Sequence, residues 1–318
     1  MIDRECHTLG CEGLGRSPLK TTRYKTHEGC TEFTSIINCT FHVTIIRMET
    51  ITPPIPNAGF RFVLFDFDGT ISLIREGWQE IMIPYFIDVL QQTPKAEDAK
   101  SIEEIVTTFV DRLTGKQTIF QCIQLDNEVV LRGGAKIDPG IYKAEYLCRL
   151  SKHIKNRLDD LHGGCNPQRY LVPGSVHFLK LLKEAGYNLY LASGTDEVDV
   201  LAEAKLLGLD RYFGKHIYGA RDNETTCSKE TVIKHIIAEN NLTGRELVSF
   251  GDGFVEIELV ASIGGYAVGV ATDEVQRQGI NQRKRRRLLE AGAAMIIADF
   301  SDAEGLIAYL FTNECSAK

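Results

Sequence analysis

Residues Phe60 to Phe65 form a short apolar run that ends abruptly in Asp66-Phe67-Asp68-Gly69-Thr70. An apolar run without polar alternation is what a strand looks like when both faces of its sheet are covered. Two carboxylates directly after it are intelligible only at the strand's carboxyl end, where the chain leaves the core. This feature fits a buried central strand with polar groups at its carboxyl end, and taken alone it reads equally as a turn with satisfied carboxylates.

The pattern recurs downstream. Phe178, Leu181, Leu182 and Ala185 fall at helical spacing and Gly186 stops the helix. A strand, Asn188 to Ala192, then leads into Ser193-Gly194-Thr195, with Thr195 placed to cap the next helix. A further helix, with Ser228 as candidate N-cap, carries Val232, Ile233, Ile236 and Ile237 on one stripe. It precedes the strand Leu247 to Phe250 and the turn Gly251-Asp252-Gly253. Two more strands are expected at Tyr266 to Ala271 and Met295 to Ala298, giving at least five parallel strands.

Between the first strand and Phe178 the chain reads as helical at Glu80 to Leu90, Ile102 to Leu113, Thr118 to Val130 and Ile141 to Leu161. The expected organisation is an α/β core at 58–75 and 168–318, a helical cap at 76–167 inserted after the first core strand, and a poorly ordered extension at 1–57. That extension holds four cysteines and ends in Pro53-Pro54-Ile55-Pro56. Cys6, His7, Cys11, Cys30 and Cys39 match no common metal spacing.

A net charge of −7 disfavours a nucleic-acid partner. No apolar run reaches membrane-spanning length, and Met1 to Glu5 lacks the start of a signal peptide. Nine cysteines without a CxxC pair suggest reduced thiols, and hence a cytoplasmic protein. The basic run Arg283 to Arg287 reads as a solvated helix face. Oligomeric state is not encoded legibly.

In open parallel sheets, ligands bind beyond the carboxyl ends of the strands, where helix N-termini point their amides. Three such ends carry polar residues here: Asp66 and Asp68, Ser193 to Thr195, and Asp252 with Glu256. A carboxylate can attack phosphorus, and a second can protonate the leaving alkoxide and later take a proton from water. Mg²⁺ held by carboxylates relieves the repulsion between anionic nucleophile and anionic phosphate. Asp252 is a candidate ligand, and Glu256, one turn beyond, a candidate holder of metal-bound water. Ser193 and the Gly194 amide are candidate phosphate donors, and Lys229 offers a point charge, for which Lys215 competes.

These residues resemble the four motifs of the haloacid-dehalogenase-like superfamily of phosphatases: Asp66 to Thr70, Ser193 after an apolar strand, Lys229, and Gly251 to Glu256. Leu206 to Phe213 is similar to the corresponding segment of phosphoglycolate-phosphatase-like members with a helical cap. The resemblance implies a Rossmann-like parallel core and an aspartyl-phosphate intermediate. It implies Asp66 as nucleophile and metal ligand, and Asp68 as acid/base with its carbonyl on the metal. It further implies Ser193, Gly194 and Lys229 at the phosphate, Asp252 on Mg²⁺, and Thr70 and Glu256 in support. The last motif ends in Glu256 where Asp is usual, with Glu258 a weaker alternative. Asp68 favours phosphate esters, because phosphonate-cleaving and dehalogenating members lack the second aspartate.

The expected function is Mg²⁺-dependent hydrolysis of a small phosphorylated metabolite. The alternatives are a sugar-phosphate mutase and a silent regulatory module of the same fold. Arg75, Gln117 and Arg132 are candidate cap contacts to substrate, whereas Trp78, Ile81 and Tyr85 are expected to fill the cap interior.

Overall fold

The computed structural model describes residues 48–54, 59–221 and 228–311. The cysteine and histidine positions of the first 47 residues lie outside that range. Strands β1 (Met48–Thr50), β2 (Phe62–Phe65), β3 (Asn188–Asp196), β4 (Ile217–Ala220), β5 (Leu247–Gly251), β6 (Tyr266–Val270) and β7 (Met295–Ile297) form one sheet in the order β1-β7-β6-β5-β2-β3-β4. From β7 through to β4 all neighbours are parallel, and β1 joins the edge antiparallel to β7.

Burial of the sheet on both faces explains the unbroken apolar run. In β2, Val63 and Phe65 face one hydrophobic cluster, and Phe62 and Leu64 face the other, as a period of two requires. The first face is covered by α5 (Ser175–Glu184), α7 (Asp210–Phe213) and α11 (Ala303–Phe311), through Phe178, Phe213 and Leu306. The second is covered by α8 (Ser228–Asn240), α9 (Phe254–Ser262) and α10 (Gln282–Glu290), through Ile236, Ile257 and Leu288.

Helices α1 (Trp78–Gln91), α2 (Ala99–Arg112), α3 (Thr118–Leu131) and α4 (Pro139–His162) occupy the interval between β2 and α5. Asp98 starts α2 by accepting from the amides of Lys100 and Ser101, and Asp138 starts α4 by accepting from Gly140 just after Pro139. Phe86, Ile102, Val106, Leu125 and Tyr146 give this cap an apolar interior that is continuous with the cluster on the first sheet face. No helix of the described residues is long and apolar enough to cross a membrane.

Three sequence expectations need correction here. The extension was expected to run through residue 57, but Met48–Thr50 pairs with β7 from Met48↔Ile297 to Thr50↔Met295, so this short segment closes a sheet edge. β4 was not anticipated, because four residues containing Gly219 carry almost no strand signal. β3 runs to Asp196 rather than stopping at Ala192, and α6 (Glu197–Leu206) starts without a side-chain cap. Thr195 therefore does not cap a helix.

Phe178 is fully buried, with ring centroids 5.1 Å from Phe250 and 5.2 Å from Phe300. Phe178→Ala is expected to cost about 3–5 kcal/mol. Urea unfolding of the two proteins measures this directly; a loss below 1 kcal/mol would mean the aromatic layer is not tightly packed.

Candidate active site

The register of the sheet assembles the site. Phe65 lies beside Leu191 of β3 and Phe250 of β5, so Asp66 leaves β2 one residue below the level of Ser193 and Asp252 on its neighbours. The Asp66 amide still donates to Phe250 O at 2.9 Å, which fixes its carboxylate at the edge of the ladder. Gly69 then turns the chain at a positive φ of 74°. A Cβ there would collide with the Asp252 carboxylate, so only glycine allows both loops to close on one point.

Lys229, from the first turn of α8, places its Nζ 2.7 Å from Asp66 Oδ1 and 2.9 Å from Glu256 Oε2. All three side chains are nearly inaccessible, with Lys229 1% exposed. Lys215, the competing lysine, lies exposed in the turn before β4. Glu256 uses its other oxygen to accept from the Gly253 amide at 2.5 Å, so both its oxygens are engaged. Glu258 is exposed.

Asp66, Asp252 and Glu256 offer carboxylate oxygens within 4.8 Å of one another. Burial pushes the Asp66 carboxyl well above the usual range; Lys229 opposes this, while Glu256 and Asp252 add to it. For Asp252 burial also acts upward, but Lys284 at 2.8 Å from Oδ2, together with Arg287, outweighs it and the net shift is downward. Burial would lower Lys229, yet Asp66 and Glu256 hold it above its ordinary value. A buried set of hard oxygens, with carboxylates close enough to repel one another, fits a small divalent cation. The Asp68 side chain is not in that set.

Asp68 has different surroundings. Its Oδ2 accepts from Thr195 Oγ1 at 2.8 Å and Ser193 Oγ at 3.2 Å, and its Oδ1 has no hydrogen-bond partner. Burial raises its pKa, against the opposing pull of Arg75, Thr195 and Ser193. Arg75 is held on α6 by Glu203 at 2.7 Å and Asp199 at 3.2 Å, leaving its Nε 3.8 Å from Asp68 Oδ1. Thr70 is fully buried beside these groups, its hydroxyl unpartnered.

A cleft of about 80 Å³ opens between the strand ends and the cap, and Thr70 and Glu256 lie outside its lining. Its cap wall includes Trp78, Met82, Lys116, Gln121, Tyr146 and Leu150. Gly194 packs so closely under the cap loop that a Cβ would collide with Lys116 O.

Among the expected residues, Asp66, Asp68, Ser193, Gly194, Lys229 and Asp252 all line this cleft, and so does Arg75. Arg132 does not: it is tied within the cap to Glu97 and Glu128, each at 2.6 Å. Gln117 is buried with its carboxamide unpartnered and lines a separate cavity of about 440 Å³ on the other side of the loop. Trp78 and Ile81 pack against the apolar interior as expected, with Trp78 also lining the cleft, and Tyr85 is buried. Thr195 and Lys284 were missed. A hydroxyl two residues after Ser193 was legible as a candidate, but nothing in a basic run marks one lysine as reaching a carboxylate.

Residues 60–264 match the family model of haloacid dehalogenase-like hydrolases. No curated protein matches in sequence. Among solved structures, a predicted phosphoglycolate phosphatase from Haemophilus somnus 129pt aligns with a TM-score of 0.51 at 18% identity, covering 78% of this chain and 98% of that one. A predicted phosphatase from Clostridium acetobutylicum gives 0.51 at 18%, covering 79% and 99%. A phosphonoacetaldehyde hydrolase-like protein from Oleispira antarctica gives 0.50 at 14%, covering 82% and 94%. At these identities the likeness to the solved structures is one of fold.

Removing one member of a buried ionic set leaves the others uncompensated, at a cost of about 3–5 kcal/mol. Lys229→Met is expected to lose that much stability without added metal. Asp66 already has a folded pKa above its unfolded value, and losing the ammonium raises it further. Below the raised Asp66 pKa the carboxyl is protonated with or without Lys229 and the penalty is smallest; it grows as pH rises through that pKa. Urea unfolding at pH 4 and pH 8 tests this; a pH-independent loss would mean the carboxylates do not depend on Lys229.

Proposed function

The chain belongs to the haloacid dehalogenase-like hydrolases, and we propose that within this family it is a Mg²⁺-dependent phosphatase acting on a small phosphate monoester. The observation that carries this reading is Lys229 Nζ set 2.7 Å from Asp66 Oδ1, within a buried carboxylate cluster at the ends of parallel strands. In this reading Asp66 attacks phosphorus and becomes an aspartyl phosphate. Lys229 neutralises charge on the nucleophile and the transferring group.

Asp66, Asp252 and the Asp68 carbonyl would hold Mg²⁺, which when bound offsets the charge of the phosphate and orients it for in-line attack. Glu256, with both oxygens engaged, fixes Lys229 and the start of α9 and is not a direct ligand in this scheme. Ser193 and the Gly194 amide bind phosphate oxygens, with the buried Thr70 hydroxyl in support.

Asp68 is the acid that protonates the leaving oxygen and then the base that takes a proton from water. A raised pKa suits the first task, while Arg75, 3.8 Å from Oδ1, favours return to the carboxylate form. The presence of this second aspartate favours an ester over a carbon–phosphorus bond.

The cleft is smaller than the roughly 300–1,000 Å³ of ordinary small-molecule sites, so substrate enters with the cap displaced. Trp78, Met82, Tyr146 and Leu150 then present an apolar wall to the leaving group, with Lys116 and Gln121 as polar contacts. A mutase would use the same first step and return the phosphoryl group to a sugar. Phosphate released in step with substrate loss marks the hydrolase, and an isomeric sugar phosphate marks the mutase.

Asp66→Asn is expected to lower Mg²⁺-dependent turnover of an aryl phosphate at least about a thousandfold, roughly 4 kcal/mol of barrier. Undiminished activity in that variant would remove Asp66 as nucleophile. Thr195→Val deletes a donor that stabilises the Asp68 carboxylate, so the Asp68 pKa rises. The alkaline limb of kcat/KM is then expected to move to higher pH; a limb that stays put or moves down would exclude Asp68 as the acid.

A further inference from the structure

Helix α10 carries Arg283-Lys284-Arg285-Arg286-Arg287, expected from sequence as a solvated basic face. Most of it is engaged. Arg283 donates Nη2 at 2.8 Å and Nε at 3.0 Å to Asp111 Oδ2, on cap helix α2. Arg287, 8% exposed, donates Nη1 to Asp111 Oδ1 at 3.2 Å and Nη2 to the Asp252 carbonyl at 2.8 Å. Lys284 bonds the Asp252 carboxylate at 2.8 Å and also Glu274. Arg285 instead pairs with Glu49 near β1 at 2.6 Å.

The same cap segment also holds the chain just beyond Asp252. Three residues beyond Asp111, the Thr114 carbonyl accepts from the amides of Phe254 at 3.1 Å and Val255 at 3.4 Å, at the opening of α9. The next residue, Gly115, has a φ of 97° and lies where a Cβ would collide with the Glu256 carboxylate. One short stretch of cap thus grips both the helix that follows Asp252 and, through Arg287, its main chain.

We propose that Asp111 and Arg287 are positioning residues that couple docking of the cap to cation binding at Asp252. This rests on the reading of Asp252 as a metal ligand. The Arg287 guanidinium and Lys284 beside Asp252 oppose a divalent cation, and the Asp111 carboxylate, paired with Arg287, offsets one of those charges. Releasing the cap, and Asp111 with it, from α10 leaves the Arg287 charge uncompensated and removes the contact that orients its guanidinium on the Asp252 carbonyl. Both effects weaken cation binding. By linkage, a bound cation favours the docked cap to the same degree.

The test uses the full chain with Mn²⁺ as probe. Mn²⁺ binding is followed by electron paramagnetic resonance, and exchange of the Phe254 and Val255 amides by hydrogen–deuterium exchange. Asp111→Asn is expected to weaken Mn²⁺ binding about tenfold, the usual scale for a partner of a metal ligand, and to speed exchange at both amides. Asp111→Glu, which keeps the charge, should recover most of the affinity. Arg285→Gln, on the same helix but facing Glu49, should change neither readout. Unchanged Mn²⁺ affinity in Asp111→Asn would overturn the coupling, as would an equal loss in Arg285→Gln or a wild-type chain that binds no Mn²⁺. If the Mn²⁺ difference is found while Asp66→Asn retains phosphatase activity, the coupling stands and the catalytic assignment falls.

Discussion

The buried ammonium of Lys229 is the constraint on which the site depends. Carboxylates brought together away from water repel one another, and each alone would take up a proton in preference to staying ionised. Lys229 lies between Asp66 and Glu256 and bonds to both. It reaches them only because β2 and β5 are adjacent in the sheet and α8 and α9 cover the same face. Sheet order, a helix start and a glycine turn at residue 69 are therefore demands of one electrostatic problem. A divalent cation would complete the solution, since the lysine alone leaves Asp66 with a raised pKa.

Asp252 is balanced differently. Its positive partners, Lys284 and Arg287, come from a helix distant in sequence, and they hold its pKa below the ordinary range despite burial. The cluster thus combines one carboxylate that is firmly ionised with one that is poised. The same helix that supplies this balance also clasps the cap, so electrostatics at the strand ends and closure of the site share a structural element.

Much of this was legible in the sequence, and the boundary follows a physical rule. The strand ending at Phe65, the glycine turn, the cap helices and Asp66, Asp68, Ser193 and Asp252 announce themselves locally, through period, capping residues or a polar group after an apolar run, whereas Lys229 was separated from Lys215 by the family resemblance. What was missed depends on tertiary contact. Arg132 and Arg75 are both arginines in or beside the cap, yet one is spent on Glu97 and Glu128 while the other faces the cleft. Met48–Thr50 is too short to register as a strand until β7 offers an edge. The run Arg283 to Arg287 looks solvated by composition, and only the approach of Asp111 and Asp252 shows otherwise.

Asp66 and Asp68 illustrate how two identical side chains two residues apart can take different work. Both are raised by burial, so burial does not separate them. Their partners do. Asp66 faces an ammonium and other carboxylates, surroundings in which a cation is the natural complement and the ionised form is what that cation selects. Asp68 faces neutral hydroxyls on one oxygen and, on the other, the Arg75 guanidinium at the longer distance of 3.8 Å. Hydroxyls orient a carboxyl group without deciding its charge strongly, because a neutral donor stabilises the anion far less than a full charge does. Such a group can hold a proton, release it to a leaving oxygen and take another from water. In the proposed reaction the nucleophile is thus the carboxylate that the cation would ionise, and the acid is the one whose side chain stays outside the cation's ligand set.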